Sequence, residues 1–177
     1  PNVGSNVAYD VRINEWMTSN TRTLADPADV AAGIPDPYDD WFELYNPGPD
    51  NADLSGCTLS DGGDPWTVPE GTLLSSGAFL IVWADGETNQ NGFDASLHTP
   101  FKLSKSGEQI ILACEGREID HVVFGAQLDD VTVGRWRDGT TNIMTLSPPT
   151  PGRPNSISGY EIPFVNITNA FRIAPPH

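Results

Sequence analysis

The chain has 177 residues, enough for one domain of ordinary size with modest extensions, and its 38% hydrophobic content is sufficient for a buried core. Its 24 acids against 9 bases give a formal net charge of −15, which repels phosphate backbones and anionic headgroups, so no nucleic acid is expected as a partner and no binding to an anionic membrane surface. No apolar run approaches the roughly 20 residues of a spanning helix, which argues against membrane insertion.

The chain opens at Pro1 without an initiator methionine or a signal-like apolar stretch, and so reads as a processed chain or a piece of a longer protein. After a tail at 1–8, period-two alternation gives a first strand at 11–17, with Glu15 set among apolar residues. The long loop 18–39 holds one short helical turn, marked by Asp26 as cap, Pro27 at the first helical position and Gly33 at the close. A second strand at 41–46 (Trp41-Phe42-Glu43-Leu44-Tyr45-Asn46) echoes the first, with Glu43 among apolar neighbours. Further strands follow at 57–60, 66–68 and 78–84, the last apolar on both faces and therefore expected to be central. A polar loop at 85–100 leads to strands at 109–114 and 119–124, joined through the tight turn Glu115-Gly116-Arg117. Strands at 131–136 and 143–146 precede the Pro-rich run 147–155, which reads as a domain terminus. Residues 156–177 carry a second apolar group, Ile162, Phe164, Val165, Ile167, Phe171 and Ile173, expected to be an added strand or the start of a neighbouring module. Many short strands punctuated by Gly, Pro and Asp predict an all-β antiparallel sandwich.

Several stretches in consistent order carry a resemblance. They are Ile13-Asn14-Glu15-Trp16-Met17; Asp40-Trp41-Phe42-Glu43-Leu44-Tyr45-Asn46-Pro47-Gly48; Asp53-Leu54-Ser55-Gly56-Cys57; Val82-Trp83-Ala84-Asp85-Gly86; Leu97-His98-Thr99-Pro100-Phe101-Lys102-Leu103-Ser104; Phe124-Gly125-Ala126-Gln127; and Pro149-Thr150-Pro151-Gly152-Arg153-Pro154-Asn155. From about residue 9 to residue 155 the chain resembles a bacterial lamin tail domain, an immunoglobulin-like β-sandwich first known from nuclear lamins. The resemblance implies a non-enzymatic interaction or scaffolding module of a larger secreted or cell-surface bacterial protein, extracellular in location and contacting another protein or a neighbouring domain. Cys57 stands where relatives often carry Trp, and the basic character tied to DNA binding in nuclear relatives is missing.

The residues themselves suggest several sites. Glu15 and Glu43 need partners if buried: either they form a paired carboxylate or metal site, or each accepts hydrogen bonds from a neighbouring loop backbone or pairs with Arg12, Lys102 or Lys105. In the loop 85–94, Asp85, Glu87, Asn89 and Asn91 place oxygen at alternate positions, as calcium prefers, although Gln90 stands where an EF-hand needs Gly and no Glu closes the loop. No other cofactor is expected. Asp36, Asp39 and Asp40 are expected to collect near Glu15, to meet His98, or to lie on the surface. His98 and His121 are too few and too far from any Cys pair for a zinc motif, and are expected to be hydrogen-bonded structure. Cys57 and Cys114 fit either a bridge or two separate buried thiols. Trp66 and Trp136 are the aromatics expected to be exposed, the basis for an alternative in which the module is a calcium-dependent or carbohydrate-binding adhesive, while Trp41 and Trp83 are expected in the core. Asn166-Ile167-Thr168 matches a glycosylation sequon.

Overall fold

The computed structural model describes residues 10–157. Residues 1–9 and 158–177, including the apolar group from Ile162 to Ile173 and the sequon at Asn166, lie outside the described residues.

Among the described residues the strands in chain order are β1 (Arg12–Met17), β2 (Trp41–Tyr45), β3 (Ala52–Asp53), β4 (Thr58–Ser60), β5 (Trp66–Thr67), β6 (Leu73–Leu74), β7 (Phe79–Trp83), β8 (Leu97–His98), β9 (Gly107–Cys114), β10 (Arg117–Gly125), β11 (Thr132–Arg135) and β12 (Ile143–Leu146), with one α-helix, α1 (Pro27–Ala32). They form a six-stranded sheet in the order β12-β11-β1-β2-β7-β8, a four-stranded sheet in the order β10-β9-β4-β5, and the small pair β3-β6. Pairing is antiparallel except between β7 and β8. The main core lies between the two large sheets and includes Ile13, Trp16, Phe42, Leu44, Leu59, Val82, Ile110, Leu112 and Val122.

A bulge decides which way β1 faces. The register with β2 runs Ile13↔Leu44 and then Glu15↔Glu43, so Asn14 is the extra residue. Strict alternation would put Ile13 and Trp16 on opposite faces; one inserted residue resets the phase. Ile13 and Trp16 therefore both enter the main core, and Glu15 faces out beside Glu43. In the neighbouring strand β11, Gly134 stands opposite Glu15, and a Cβ there would lie 2.5 Å from Asn14 O and 3.0 Å from Glu15 Cα. Only glycine lets the strands approach this closely.

The outer face of the six-stranded sheet is built over rather than wet. Met17, Trp41 and Trp83 form a second small core there, closed by Leu24 from the loop 18–39 and by Ile81. This explains why the segment 78–84 is apolar on both faces: Val82 serves the main core and Trp83 the second one. β7 is not central, however, since beyond it lies only the two-residue β8. Helix α1 has the predicted caps: Asp26 Oδ1 accepts from Ala28 N at 2.8 Å, and Gly33 adopts φ 73°. The β9–β10 hairpin turns on Glu115 (φ 51°) and Gly116 (φ 73°), with Arg117 already in the strand and paired with Cys114. Two positive φ values in a two-residue loop match the right-handed twist of the flanking strands. β10 alternates as expected, with Val122 and Phe124 inward and His121 and Val123 outward.

Cys57 and Cys114 are joined in a disulfide with Cα atoms 4.2 Å apart. It links the start of β4 to the end of β9 within one sheet, not across the sandwich.

Candidate functional site

Among the described residues, three buried polar groups stand out around the six-stranded sheet. The first surrounds the strand glutamates. Glu15 and Glu43 are fully buried, and the Pro-rich segment 147–155 lies over them. Glu15 Oε1 accepts from Thr150 N at 3.0 Å, and Thr150 Oγ1 lies 2.8 Å from Glu15 Oε2 and 3.1 Å from Asn155 Oδ1. Glu43 Oε2 accepts from Gly152 N at 2.5 Å, and Glu43 Oε1 from Asn14 Nδ2 at 3.3 Å. Asn155 Nδ2 donates to Asn14 O and Arg135 O, while Asp138 accepts from Asn14 Nδ2 and Asn155 N. Burial raises both carboxyl pKa values; that of Glu43 is pushed up from 4.5 to about 8, with the charge of Glu15 adding to the effect and the Gly152 hydrogen bond opposing it. Of the readings open from the sequence, hydrogen bonding to a neighbouring loop backbone is the one seen. The bulged Asn14 is part of the same clasp, bonding Glu43, Asp138 and, through its Oδ1, Gly139 N.

The second group went unseen in the sequence. Arg135 Nη2 bonds both carboxylate oxygens of Asp120 at 2.8 Å, its Nε donates to Ile13 O at 2.8 Å, and Asp120 Oδ2 also accepts from Ile13 N at 2.8 Å. Asp120 follows a bulge in β10, so this bridge ties the edge of one sheet to β1 of the other. Charge-assisted, forked hydrogen bonds of this kind are the strong class.

The third group lies under the loops 18–39 and 85–100. His98 Nδ1 stands 2.6 Å from Asp85 Oδ2 and 3.6 Å from Asp26 Oδ2, and all three side chains are about 1% exposed. Burial alone would lower the imidazole pKa, but the hydrogen bond and charge of Asp85, with the charge of Asp26, outweigh it and raise the pKa above 6.5. Asp39 joins this neighbourhood: burial raises its pKa to about 6, Lys102 opposes the rise, and Asp85, Asp29 and Asp26 add to it. Asp40 instead accepts from Asn20 N, and Asp36 is exposed. His121 pairs with Gln109 at 2.9 Å.

The residues proposed from the loop 85–94 as calcium ligands face different partners. Asp85 Oδ1 accepts from Glu87 N at 2.8 Å, and Asp85 Oδ2 is turned to His98. Glu87 Oε2 accepts from Gln90 Nε2, Asn91 Oδ1 from His98 N at 3.0 Å, and Asn89 is exposed. Asn91 also donates to His98 O and Thr88 O, so its amide stitches the loop to β8. Of the two carboxylates in this set, Asp85 stands within a group of closely spaced acidic and imidazole ligands, Asp26, Asp85 and His98, and Glu87 does not. The aromatics expected at the surface, Trp66 and Trp136, are half-buried, and Trp66 packs against the main core.

The paired strands around Glu15 and Glu43, the Cys57 turn and the hairpin that follows all fall inside a stretch, residues 5–126, that matches the family described as Lamin Tail Domain. The chain belongs to the lamin tail domain family. Comparison with curated proteins finds no match. The lamin tail domain is an immunoglobulin-like sandwich of the protein-interaction type and is typically non-catalytic, in keeping with the sheets seen here. In this chain the lamin tail sandwich continues past the matched stretch, because β11 and β12 extend the six-stranded sheet and the 147–155 segment closes over its glutamates.

Proposed function

We propose that this lamin tail domain acts by contact, as a non-enzymatic docking module of a larger secreted or cell-surface bacterial protein, holding another protein or a neighbouring domain. The observation that carries the reading is the use made of its buried acids. Glu15 and Glu43, the carboxylates best placed by sequence for acid–base work, spend their oxygens on Thr150, Gly152 and Asn14 and lie sealed beneath the chain. General acid–base catalysis needs such groups facing a substrate.

Docking has a surface to use. β10 ends its sheet, spans nine residues, and presents Val123 at 72% exposure, with Leu128 beyond it also at 72%. Edge strands accept an added strand through main-chain hydrogen bonds, with alternate side chains giving selectivity. The Cys57–Cys114 disulfide supports placement in an oxidising compartment such as the cell exterior.

Photo-crosslinking residues placed at Val123 and Leu128 in the intact parent protein on its own cells test this reading. A defined peptide of a partner or adjoining module should be captured at both positions and not from the exposed Ile143 on the opposite sheet. Equal capture at Ile143, or substrate turnover lost on Glu43→Gln, would count against it.

A further inference from the structure

Charge does not balance around Asp26. Asp26, Asp29, Asp39, Asp85 and Glu87 act on one another electrostatically. Lys102 Nζ stands 4.0 Å from Asp39 Oδ1 with its side chain 70% in water, and His98 is committed to Asp85. One carboxylate oxygen from each of Asp26, Asp29 and Asp39 can be chosen so that all lie within 4.8 Å of one another. Oxygens bound to a common calcium at roughly 2.3–2.6 Å lie at most about 5 Å apart, so these side chains already have the spread of a calcium shell.

A separate observation points to something bound there. The Asp26 side chain is 1% exposed, yet its Oδ2 has no hydrogen-bond partner, the His98 nitrogen at 3.6 Å being too distant to serve. Its other oxygen is used to cap α1. Gln90, whose Nε2 donates to Asp29 Oδ1 at 2.9 Å, likewise has a buried Oε1 with no partner. Buried oxygens without a hydrogen bond carry a desolvation penalty, which for Asp26 outweighs the opposing charge of His98 and raises the carboxyl pKa, and native proteins rarely leave them so. A cation that seeks oxygen removes the penalty and the repulsion together.

We propose that Asp26, Asp29 and Asp39 form a binding site for a divalent cation of the calcium type, tying α1 to the segment that leads into β2. The donors are oxygens throughout, as a hard cation requires, and the Gln90 carbonyl is a neutral oxygen in the same side-chain network. Asp39, the most exposed of the three, forms the way in. This assignment is independent of the docking role and differs from the loop 85–94 set: it uses none of Asp85, Glu87, Asn89 or Asn91.

Calorimetric titration of the metal-stripped chain with calcium chloride, and thermal unfolding with and without it, test the site. The expected result is saturable single-site binding and a rise in Tm that sodium chloride of equal ionic strength does not reproduce. Asp39→Asn should weaken binding by about tenfold or more, following the loss of one ligand charge. Its metal-free Tm should not fall below that of the parent, because Asn at this position relieves the repulsion from Asp26, Asp29 and Asp85 and gives up only a 4.0 Å ion pair with the exposed Lys102. Asp26→Asn perturbs a buried cap and so serves only as a supporting variant. Absence of both saturable heat and a Tm rise would overturn the proposal, as would full affinity in Asp39→Asn. Loss of binding in Asn89→Ala with affinity kept in Asp39→Asn would move the ion to the neighbouring loop, and overturn it equally.

Discussion

Two glutamates that face each other across β1 and β2 would repel and unfold the strand pair if left ionised and bare; the protein instead covers them with backbone donors and holds a proton. The consequence for stability follows from the sign of the shift. Glu43 titrates near 4.5 when unfolded and at about 8 when folded, so between those values the folded state carries a proton that the unfolded state has lost. Stability from this group is complete below pH 4.5 and is lost as pH rises toward about 8. The raised pKa of His98 acts in the same direction, its contribution fading as pH climbs above 6.5 and through the folded value. Urea midpoints should accordingly fall from mildly acidic to alkaline buffer, and Glu43→Gln should flatten the decline; a wild-type curve that rises with pH would contradict this. Arg135 gives a second expectation. Arg135→Met leaves the Asp120 carboxylate, only 12% exposed, without its forked partner, and should cost about 3 kcal/mol by chemical denaturation.

Elements differed in how openly the sequence announced them. Helix α1 was legible to the residue because capping is local chemistry: Asp26, Pro27 and Gly33 each act on the backbone within one turn. The β9–β10 hairpin was legible for the same reason, and nine strand segments followed from alternation and turn residues. β3, β6 and β8 were not, since two residues hold no period to detect. The bulge at Asn14 was also hidden, because period-two reading assumes an unbroken phase, and Glu15 between Asn14 and Trp16 gives no sign of the extra residue. Asp120 with Arg135, and Asp26 with Asp85 and His98, meet only through the packing of different strands and loops, which no local pattern encodes. Gly134→Ala tests the close approach at the bulge: a methyl group pressed against Asn14 O should cost on the order of 1–3 kcal/mol, read as a lower Tm. Reduction of the Cys57–Cys114 bridge, which closes a loop of 57 residues, should remove about 4 kcal/mol by the chain-entropy relation, measured by unfolding with and without reductant.

At the scale of the whole molecule, the sandwich behaves as two cores sharing one sheet: the large one between the layers and the small one that Trp41 and Trp83 build on the outer face. Both must be reconciled with a surplus of fifteen negative charges, which oppose compaction. Added sodium chloride should therefore raise Tm by screening that repulsion, and a fall on going from low to physiological ionic strength would refute the argument. The clasp at Asn155 has a mechanical consequence. Because its side chain grips the backbone of Asn14, the two ends of the described domain are stapled side by side. In a string of modules under tension, a pull would run straight through that staple and bypass the cores. The Asn155 bonds would then give way first, followed by those of Gly152 and Thr150, as a fuse that lets out a short length of slack while the sandwich hangs from the line intact.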